Sequence, residues 1–537
     1  MKLNRLLVAV LSVAWLFIPG MLTSQQQRLQ SPEVLRSHTR LVVVDVVASD
    51  GKGQLISDLK EGDLTVVENG RTQNLSGFSF HPSSVSKIAV NSQLPPNVVT
   101  NTPAFQASSL NVMLLDTLNG DFAEHAYVKD QLLKYLARAQ LTRPIALFAM
   151  EDHLVMLHDF TTDAASLRRV VEKFKPPARN NNAETVQSRA SVFATHGDFH
   201  TNDRDIGNTL NQLNALSKTL AGYPGRKNLI WLSESFPVSL FPDSTARGSS
   251  GICNGDSCGG AATNIGRAAL EGTGEGSYKD YALLIKKVSD ALMSAQVAVY
   301  VVDAGAVGKD ERIASHVTMN EMADRTGGKA FIGSNDLASS MAASLDDGSA
   351  YYTLEYYPDN KTWDGQFRTI QVKSSRPGLN LRYRQGYYAV DPEKLSKDEG
   401  DKVAEDFSRA LLLDAPAATS VLFQVQVLPP ERSKKVAVNF HINPRTMAFE
   451  HKADGTEYAK VSCTVWAYGK DKDKPTMSSE TVNANLNRDD YQKMMRQQFF
   501  PCGRELELKP GTYTLRVGVL DRTANKMGTA SAQVTVP

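Results

Sequence analysis

The chain has 537 residues, of which 42% are hydrophobic and 22% charged, a composition typical of soluble globular proteins and a length too great for one core. Its 59 Lys and Arg residues and 58 Asp and Glu residues give a net charge of +1. No global field therefore draws the chain toward nucleic acid or an anionic membrane, and we expect no nucleic-acid partner.

Residues 1–24 are typical of a secretory signal peptide. Lys2 and Arg5 precede the apolar run LLVAVLSVAWLFIPGML, which gives way to polar sequence near Ser24. A transmembrane anchor is the alternative, but a Pro-Gly pair interrupts the run, which is marginal for a span of ~20 residues. We expect cleavage, no integral membrane segment after it, and a secreted, periplasmic or cell-envelope location.

Export places the four cysteines in an oxidising compartment, where they allow three pairings. Cys253 and Cys258 bracket NGDS in a Gly-rich loop, whereas Cys463 and Cys502 lie beside strand-like segments near the C-terminus. Local pairing, Cys253 with Cys258 and Cys463 with Cys502, is the simplest arrangement. A metal site at CNGDSC is the alternative, although no second ligand pair lies nearby.

Residues 40–80 have the period of β-strands. RLVVVDVVAS predicts a strong strand, and Asn69-Gly70 predicts a hairpin turn between two further runs. Some forty residues are too few for an independent sandwich, so these strands need partners from elsewhere in the chain. Residues 81–107 are rich in Pro, Ser and Asn and predict a linker.

Residues 108–345 alternate strand-like and helix-like segments. The predicted strands are NVMLLD, PIALFAME, KNLIWLSES and VAVYVVDAG, with HLVMLHDF as a hairpin partner of the second. The predicted helices are EHAYVKDQLLKYLARAQ, TDAASLRRVVEKFK, TLNQLNALSKTLAGY, KDYALLIKKVSDALMSAQ and TMNEMADRTGGKAF. This alternation predicts a doubly wound, mostly parallel sheet with helices on both faces.

From Tyr351 the hydrophobic period returns to two. Residues 351–390 predict three antiparallel strands, which we expect to pair or pack with residues 40–80, so that the α/β domain is inserted between them. Residues 391–417 predict a helical connector. Residues 418–537 predict six or more strands with regular turns, as in an immunoglobulin-like β-sandwich, with Cys463–Cys502 as its disulfide. The predicted fold class is therefore multidomain, α/β plus all-β.

Several of these segments together resemble a known family. They are NVMLLDTLN, RKNLIWLSESFP, VAVYVVDAG, ADRTGGKAF and the block YYTLEYYPD, WDGQFRTIQVK and LRYRQGYYA. Over roughly residues 40–390 they resemble a von Willebrand factor type A domain, and more closely the variant found in exported proteins of acidobacteria and their relatives. The resemblance implies adhesion through a metal-ion-dependent site, in which oxygen ligands hold Mg²⁺ and leave a position for a partner's carboxylate.

In that family the first loop of the site reads Asp-x-Ser-x-Ser, and this chain departs from it. Asp116 stands at the aspartate, but Leu118 and Gly120 stand at the two serines. Leucine cannot ligate a cation, and glycine has no side chain. Asp116 is therefore either a ligand of Mg²⁺ or, in the interpretation we favour, a carboxylate that caps the next helix or accepts hydrogen bonds from loop backbone.

The other family ligands, a threonine of a second loop and an aspartate that ends a later strand, have approximate counterparts. Thr209 is the best match to the threonine, with Thr201 as a weaker candidate, although Thr209 also fits a helix N-terminal position. Ser233 and Glu234 stand where the aspartate would fall, and Glu234 has the longer arm. With the carbonyl oxygen of Asn119, the candidate binding residues are Asp116, Asn119, Thr209 and Glu234.

Two polar segments offer alternatives. Residues 195–205 concentrate His196, Asp198, His200, Asp203 and Asp205, which predicts either a Zn²⁺ site or a solvated loop. Residues 242–264 form a Gly- and Ser-rich loop after the NLIWLSES strand, which is either a recognition loop on the rim of the sheet or a decorated surface. A tyrosine cluster in residues 351–388 favours core packing over ligand stacking.

Catalytic signatures are missing from the sequence. It contains no G-x-S-x-G, H-E-x-x-H or G-x-x-x-x-G-K-[ST] motif, so we expect no enzymatic activity. The sequence predicts an exported protein-binding or adhesion module with a degenerate adhesion site, a protein partner, and no cofactor unless Mg²⁺ binds at Asp116. The alternative is a scaffold or assembly subunit of the cell envelope with an inert α/β rim.

Overall fold

The computed structural model describes residues 41–83, 85–87, 94–95, 97–103, 105–119, 122–175, 199–233, 275–304, 313–334, 336–390, 400–430, 435–470 and 474–537. The predicted signal peptide, Gly120, Glu234, the loop of residues 242–264 and the pair Cys253 and Cys258 lie outside these ranges. Among the helices within them, none has the length and apolarity needed to cross a membrane.

The central region forms a six-stranded sheet. In spatial order its strands are β10 (Leu154–Thr161), β9 (Ile145–Met150), β8 (Ser109–Asp116), β11 (Arg226–Ser233), β12 (Val297–Asp303) and β13 (Ala330–Phe331). Neighbours are parallel except β10, which pairs antiparallel with β9. Every residue of β8, β9, β11 and β12 is buried, as expected for parallel strands covered on both faces. The predicted mixed α/β architecture is confirmed.

Helices cover both faces of this sheet. They are α1 (Phe122–Arg138), α2 (Ala164–Lys173), α3 (Phe199–Leu220), α4 (Glu275–Ser294), α5 (Ile313–Thr326) and α6 (Leu337–Asp346). Successive residues of β8 point to opposite faces. Leu114 joins a core with Leu213 of α3 and Val288 of α4. Leu115 joins the other core with Leu132 of α1 and Met341 of α6.

The strands of residues 42–81 are hydrogen-bonded to strands that follow the α/β region. One sheet has the order β16 (Asn380–Arg382), β1 (Val42–Ser49), β14 (Tyr351–Tyr356), β4 (Leu75–His81), and the other β17 (Gly386–Tyr388), β15 (Phe367–Ser374), β2 (Leu64–Glu68), β3 (Arg71–Gln73). All these pairs are antiparallel. Val44, Val66, Leu354 and Ile370 share one core between the sheets. The hypothesis that the α/β domain is inserted between two β segments requires such pairings.

The third strand expected within residues 351–390 is divided in two, which corrects that prediction. β16 pairs with β1, whereas β17 pairs with β15 in the other sheet. Between them the backbone N–H of Gln385 donates to the carbonyl of Arg325 on α5, and its carbonyl accepts from Ile370. The chain therefore crosses from one sheet to the other near Gln385, a polar residue that interrupts the alternation set by Leu381 and Tyr383.

The segment predicted as a linker contributes strands, which is a second correction. β5 (Val85–Lys87) pairs with β7 (Phe105–Ala107), and β6 (Val98–Thr100) pairs with β18 (Phe423–Leu428). Beside β6, the Asn101 side chain accepts from the N–H of Phe423 and donates to the carbonyl of Ala418. A three-residue strand carries too little periodicity to be recognised from sequence.

After residue 418 two sheets enclose one core. The first has the order β23 (Phe500–Glu507), β19 (Lys435–Ile442), β18, β6, and the second β20 (Glu450–His451), β21 (Glu457–Tyr468), β24 (Gly511–Asp521), β25 (Lys526–Val536), with β22 (Thr476–Leu486) also paired to β21. Phe440 and Val517 join the core from opposite sheets. Helix α8 (Arg488–Gln497) precedes β23. The predicted disulfide Cys463–Cys502 is present and links β21 to β23.

Helix α7 (Gly400–Ala410) lies in the predicted connector and packs against β24, with Phe407 close to Gly518. Its Asp406 accepts from Lys218 of α3 at 2.7 Å. Just beyond α3, the N–H of Gly222 donates to Thr419 Oγ1 at 2.8 Å. The connector and the C-terminal sheets are thus attached to the α/β region through the end of α3, and Arg40–Pro537 forms one compact unit.

Candidate functional site

The carboxyl ends of three neighbouring parallel strands place polar residues at one edge of the sheet, which we call the rim. β8 ends at Asp116, β11 at Ser233 and β12 at Asp303. The register pairs Ser233 with Asp303, and Leu232 with Leu115, the residue before Asp116. Adjacent strands therefore bring these three polar residues to the edge at which α/β sheets usually bind ligands.

Asp116 is 6% exposed, and both of its carboxylate oxygens accept hydrogen bonds. Oδ1 accepts from the backbone N–H groups of Leu118 at 3.1 Å and Asn119 at 2.9 Å. Oδ2 accepts from Trp231 Nε1 at 3.1 Å and from Ser233 Oγ at 2.7 Å. A carboxylate has about four acceptor sites, so protein donors occupy this one fully. The favoured interpretation, with backbone hydrogen bonds to Asp116, agrees with this geometry.

The Asn119 side chain links Asp116 to helix α3. Its Nδ2 lies 3.3 Å from Oδ1 and 3.1 Å from Oδ2 of Asp116, and 3.1 Å from Thr209 Oγ1. An ionised carboxylate only accepts hydrogen bonds, so the NH₂ group rather than the carbonyl of Asn119 must face it. The expected contribution of Asn119, a carbonyl oxygen offered to a cation, is therefore replaced by an amide that donates.

These residues do not fit a Mg²⁺ ion. Magnesium needs oxygen ligands at about 2.0–2.1 Å in octahedral geometry. Here N–H and O–H groups point at the carboxylate of Asp116, and the Asn119 amide lies between it and Thr209. Leu118, at the first serine of the family pattern, is 2% exposed and belongs to the hydrophobic core. Among the described residues, no group of three or more His, Cys, Asp or Glu is placed to hold a metal ion.

A second buried carboxylate at the rim escaped the sequence reasoning. Asp303 is 3% exposed, and its Oδ2 lies 3.0 Å from Nε2 of His316, a half-buried residue of α5. A buried carboxylate orients an imidazole in this way. The available signal was the aspartate directly after the buried run VAVYVV, the same pattern that marks Asp116. His316 follows 13 residues later, a separation that matches no known sequence motif.

The structure brings together three of the four predicted binding residues, Asp116, Asn119 and Thr209, whereas Glu234 lies outside the described residues. One detail is corrected. Thr209 is not a helix N-terminal residue, because α3 begins at Phe199 and Thr209 lies in its interior. The periodic apolar face begins only near Leu210, so the sequence revealed only the second half of the helix.

The polar segment of residues 195–205 is also partly corrected. From residue 199 onward its backbone belongs to α3 and does not form a loop. His196 and Asp198 lie outside the described residues, as do the side chains of Thr201, His200, Asp203 and Asp205. The Zn²⁺ hypothesis for this segment therefore stays a prediction, and so does the pairing of Cys253 with Cys258.

Most tyrosines of the predicted cluster pack into the β-sheets. Within the cluster of residues 351–388, Tyr351, Tyr352, Tyr356, Tyr387 and Tyr388 are buried, Tyr383 is partly buried, and Tyr357 is 49% exposed. Their contacts are with other aromatic rings, as between Phe80 and Tyr352, or with buried acceptors. The prediction of core packing is confirmed for these five residues, which leaves the rim as the candidate site.

No protein-family model matches the chain, and no curated protein does either. Solved structures show distant likeness. An aerotolerance-related membrane protein from Bacteroides fragilis is 10% identical over 44% of this chain and 98% of its own length, with a TM-score of 0.22. The vWF domain of the type V pili tip protein Mfa5 from Porphyromonas gingivalis is 20% identical over 24% of this chain and 37% of its own, with a TM-score of 0.15.

A von Willebrand factor type A protein from Catenulispora acidiphila is 10% identical over 63% of this chain and 80% of its own length, with a TM-score of 0.16. The match to Mfa5 spans less than two thirds of that chain. At TM-scores this low, none of these likenesses carries an argument about activity, ligand or partner.

Proposed function

We propose that the chain is an exported, non-enzymatic protein-binding module, built on a von Willebrand factor type A-like domain whose degenerate adhesion site works without a metal ion. The observation that supports this is the carboxylate of Asp116, which accepts hydrogen bonds from Trp231, Ser233 and Asn119. A carboxylate occupied by protein donors leaves no coordination position for a cation shared with a partner. The partner therefore contacts protein groups directly.

The proposed contact region is the loop of residues 242–264. It follows β11 in the chain, and β11 ends at the rim with Ser233. Loops at the carboxyl ends of parallel strands are where α/β folds usually bind ligands. Cys253 and Cys258, if paired as predicted, restrict the loop and reduce the entropy lost on binding.

A scaffold of the cell envelope is the second candidate. It is favoured by the attachment of the connector and the C-terminal sheets to α3, through Lys218–Asp406 and Gly222–Thr419. Through such contacts the α/β region and the C-terminal sheets belong to one compact unit, as a scaffold requires. In this role the sheets of residues 418–537, proposed as an immunoglobulin-like sandwich, make the external contacts, and the rim is inert.

Affinity capture from a cell-envelope extract tests the proposal. The baits are the mature chain and a variant that lacks residues 242–264, each with and without EDTA. We expect the mature chain to capture the same partner in both conditions and the deletion variant to lose it. Capture that survives the deletion supports the scaffold instead. Release of the partner by EDTA contradicts a metal-independent site, and the absence of any captured partner contradicts both roles.

A further inference from the structure

We propose that the side-chain amide of Asn119 is a built-in replacement for a cation at the rim. In the family that the sequence resembles, a cation joins the aspartate of the first loop to the threonine of a second. Here the amide joins Asp116 to Thr209. The inference deepens the proposed function and rests on its metal-independent rim, because it identifies the group that makes a metal unnecessary.

The geometry supports this role atom by atom. Nδ2 carries two hydrogens, and it lies 3.1 Å both from Oδ2 of Asp116 and from Oγ1 of Thr209. One hydrogen can therefore be donated to each partner. Asp116, Asn119 and Thr209 are 6%, 7% and 1% exposed, so the link is shielded from water. In such surroundings, a hydrogen bond to a charged acceptor is stronger than one at the surface.

The remaining donors complete the hydrogen bonding of Asp116. Trp231 Nε1 and Ser233 Oγ donate to Oδ2, and the N–H groups of Leu118 and Asn119 donate to Oδ1. A buried carboxylate without a counter-charge is costly, and these donors offset part of that cost. The site is therefore satisfied by this chain alone.

The link also fixes helix α3. Thr209 lies in the middle of α3, and just beyond the C-terminal end of the same helix the N–H of Gly222 donates to Thr419. The Asn119 amide thus holds α3 against the loop after β8 without a cation, whereas a cation would hold it only while bound. It follows that the concentration of divalent cations does not regulate this rim, and that a partner's carboxylate has no metal to bind there.

Asn119→Asp tests the inference, because it keeps the size of the side chain and exchanges the donating amide for a second carboxylate. Its oxygens would face those of Asp116 at ~3 Å, where two carboxylates do not both ionise without a proton or a cation. We expect the wild-type melting temperature to be the same in EDTA, Mg²⁺ and Mn²⁺. The variant should melt several degrees lower in EDTA and recover in Mg²⁺ or Mn²⁺.

The matched control is Asn483→Asp on the exposed strand β22. Asn483 accepts a hydrogen bond from Tyr458 through Oδ1, a role that aspartate keeps. This variant should melt like the wild type in all three conditions. A second variant, Thr209→Val, removes the acceptor of the link while Asp116 keeps its other donors. It should lower the melting temperature even if Asn119→Asp does not fold.

Each opposite result overturns the inference. If Mg²⁺ raises the melting temperature of the wild type more than NaCl does at equal ionic strength, the wild type binds a cation. If Asn119→Asp melts at the same temperature as its control, the amide does not stabilise the fold. If the variant melts at a lower temperature but neither Mg²⁺ nor Mn²⁺ restores it, the amide does not stand in for a cation. An unchanged melting temperature for Thr209→Val contradicts the link. None of these measurements needs a partner, so they can fail independently of the capture experiment.

Discussion

Tyr356 donates a hydrogen bond to Glu68 at 2.8 Å, although 288 residues separate the two in sequence. Tyr387 donates to the same carboxylate at 3.0 Å, and Arg368 Nη1 lies 3.4 Å from it. The Glu68 and Arg368 side chains are only 3% and 2% exposed, so a complete ion pair is buried. Burial and the neighbouring Glu68 raise the pKa of Tyr356, which therefore remains a hydrogen-bond donor at physiological pH. This network joins the strands on either side of the α/β region.

Glu68→Gln should be strongly destabilising, because it leaves the buried guanidinium of Arg368 without its counter-charge. Removing one partner of a buried ion pair costs ~3–5 kcal/mol. The free energy of unfolding in urea measures the loss. The matched control is Asp58→Asn, which breaks a surface ion pair with Arg376. In that pair the Asp58 side chain is 68% exposed and the Arg376 side chain 42% exposed. That change should have little effect, and equal losses in the two variants would contradict the structural importance of the buried network.

Reduction of Cys463–Cys502 should destabilise the C-terminal sheets, because the bond joins β21 of one sheet to β23 of the other across 39 residues of sequence. Removing a disulfide of this kind costs ~2–5 kcal/mol. The measurement is urea unfolding with and without a reductant. A variant with Cys253→Ser and Cys258→Ser is the control, and the reductant should destabilise it to the same extent. If its stability does not respond to the reductant, Cys463–Cys502 is not the stabilising bond.

Gly222→Ala should weaken the attachment between α3 and the C-terminal region. An added Cβ at Gly222 would lie 2.4 Å from the carbonyl oxygen of Thr419, so the two segments would have to separate. Overpacking of this kind costs ~1–3 kcal/mol. Limited proteolysis should show faster cleavage in the connector of residues 391–417. Gly62→Ala is the control, because an added Cβ there has no neighbour within 4 Å. Equal cleavage rates in the two variants would contradict the prediction.

The sequence predicts the α/β sheet well because its strands are long apolar runs, such as VMLL before Asp116, separated by helices with apolar periodicity. It misses β6, whose three residues form a strand only because β18 offers a hydrogen-bonding edge more than 300 residues away. Helix α8 is also absent from the prediction. Its mean hydropathy is low, and its apolar face is short, consisting of Tyr491, Met494 and Met495, of which only Met494 is buried.

The candidate site shows a different limit. The position of Asp116 after its strand could be predicted, and so could its proximity to Thr209. The direction in which Asn119 donates could not, because the sequence does not show which end of the amide faces the carboxylate. Trp231 lies in the predicted strand KNLIWLSES and is 1% exposed, and its indole N–H also donates to Asp116, which the pattern does not show. Hydrogen-bond direction depends on tertiary geometry that no spacing pattern encodes.

The stability of the fold should also depend on pH, through His153. His153 and Asp414 form an ion pair at 2.8 Å, between the turn that joins β9 to β10 and the connector. The hydrogen bond with Asp414 raises the pKa of His153, and the same bond lowers the pKa of Asp414. Burial raises the pKa of the nearby Glu151, whose charge, like that of Asp152, favours protonated His153. Arg516 lowers the pKa of Asp414 further.

The pair should stabilise the fold most in mildly acidic solution. The contribution of His153 is complete below its ordinary pKa of 6.5 and is lost as pH rises through the raised value, whereas that of Asp414 is complete above 3.8 and is lost as pH falls through the lowered value. His153→Gln should therefore reduce stability near pH 5.5 and have little effect near pH 8.5.

The size of this effect is limited by solvent. The side chains of His153 and Asp414 are 30% and 56% exposed, so the loss of stability at pH 5.5 should stay below ~1 kcal/mol. Urea unfolding at both pH values measures it, with His158→Gln as the control, since His158 bonds to a backbone carbonyl. A His153→Gln effect that is equal at the two pH values would show that the charge of this pair does not contribute.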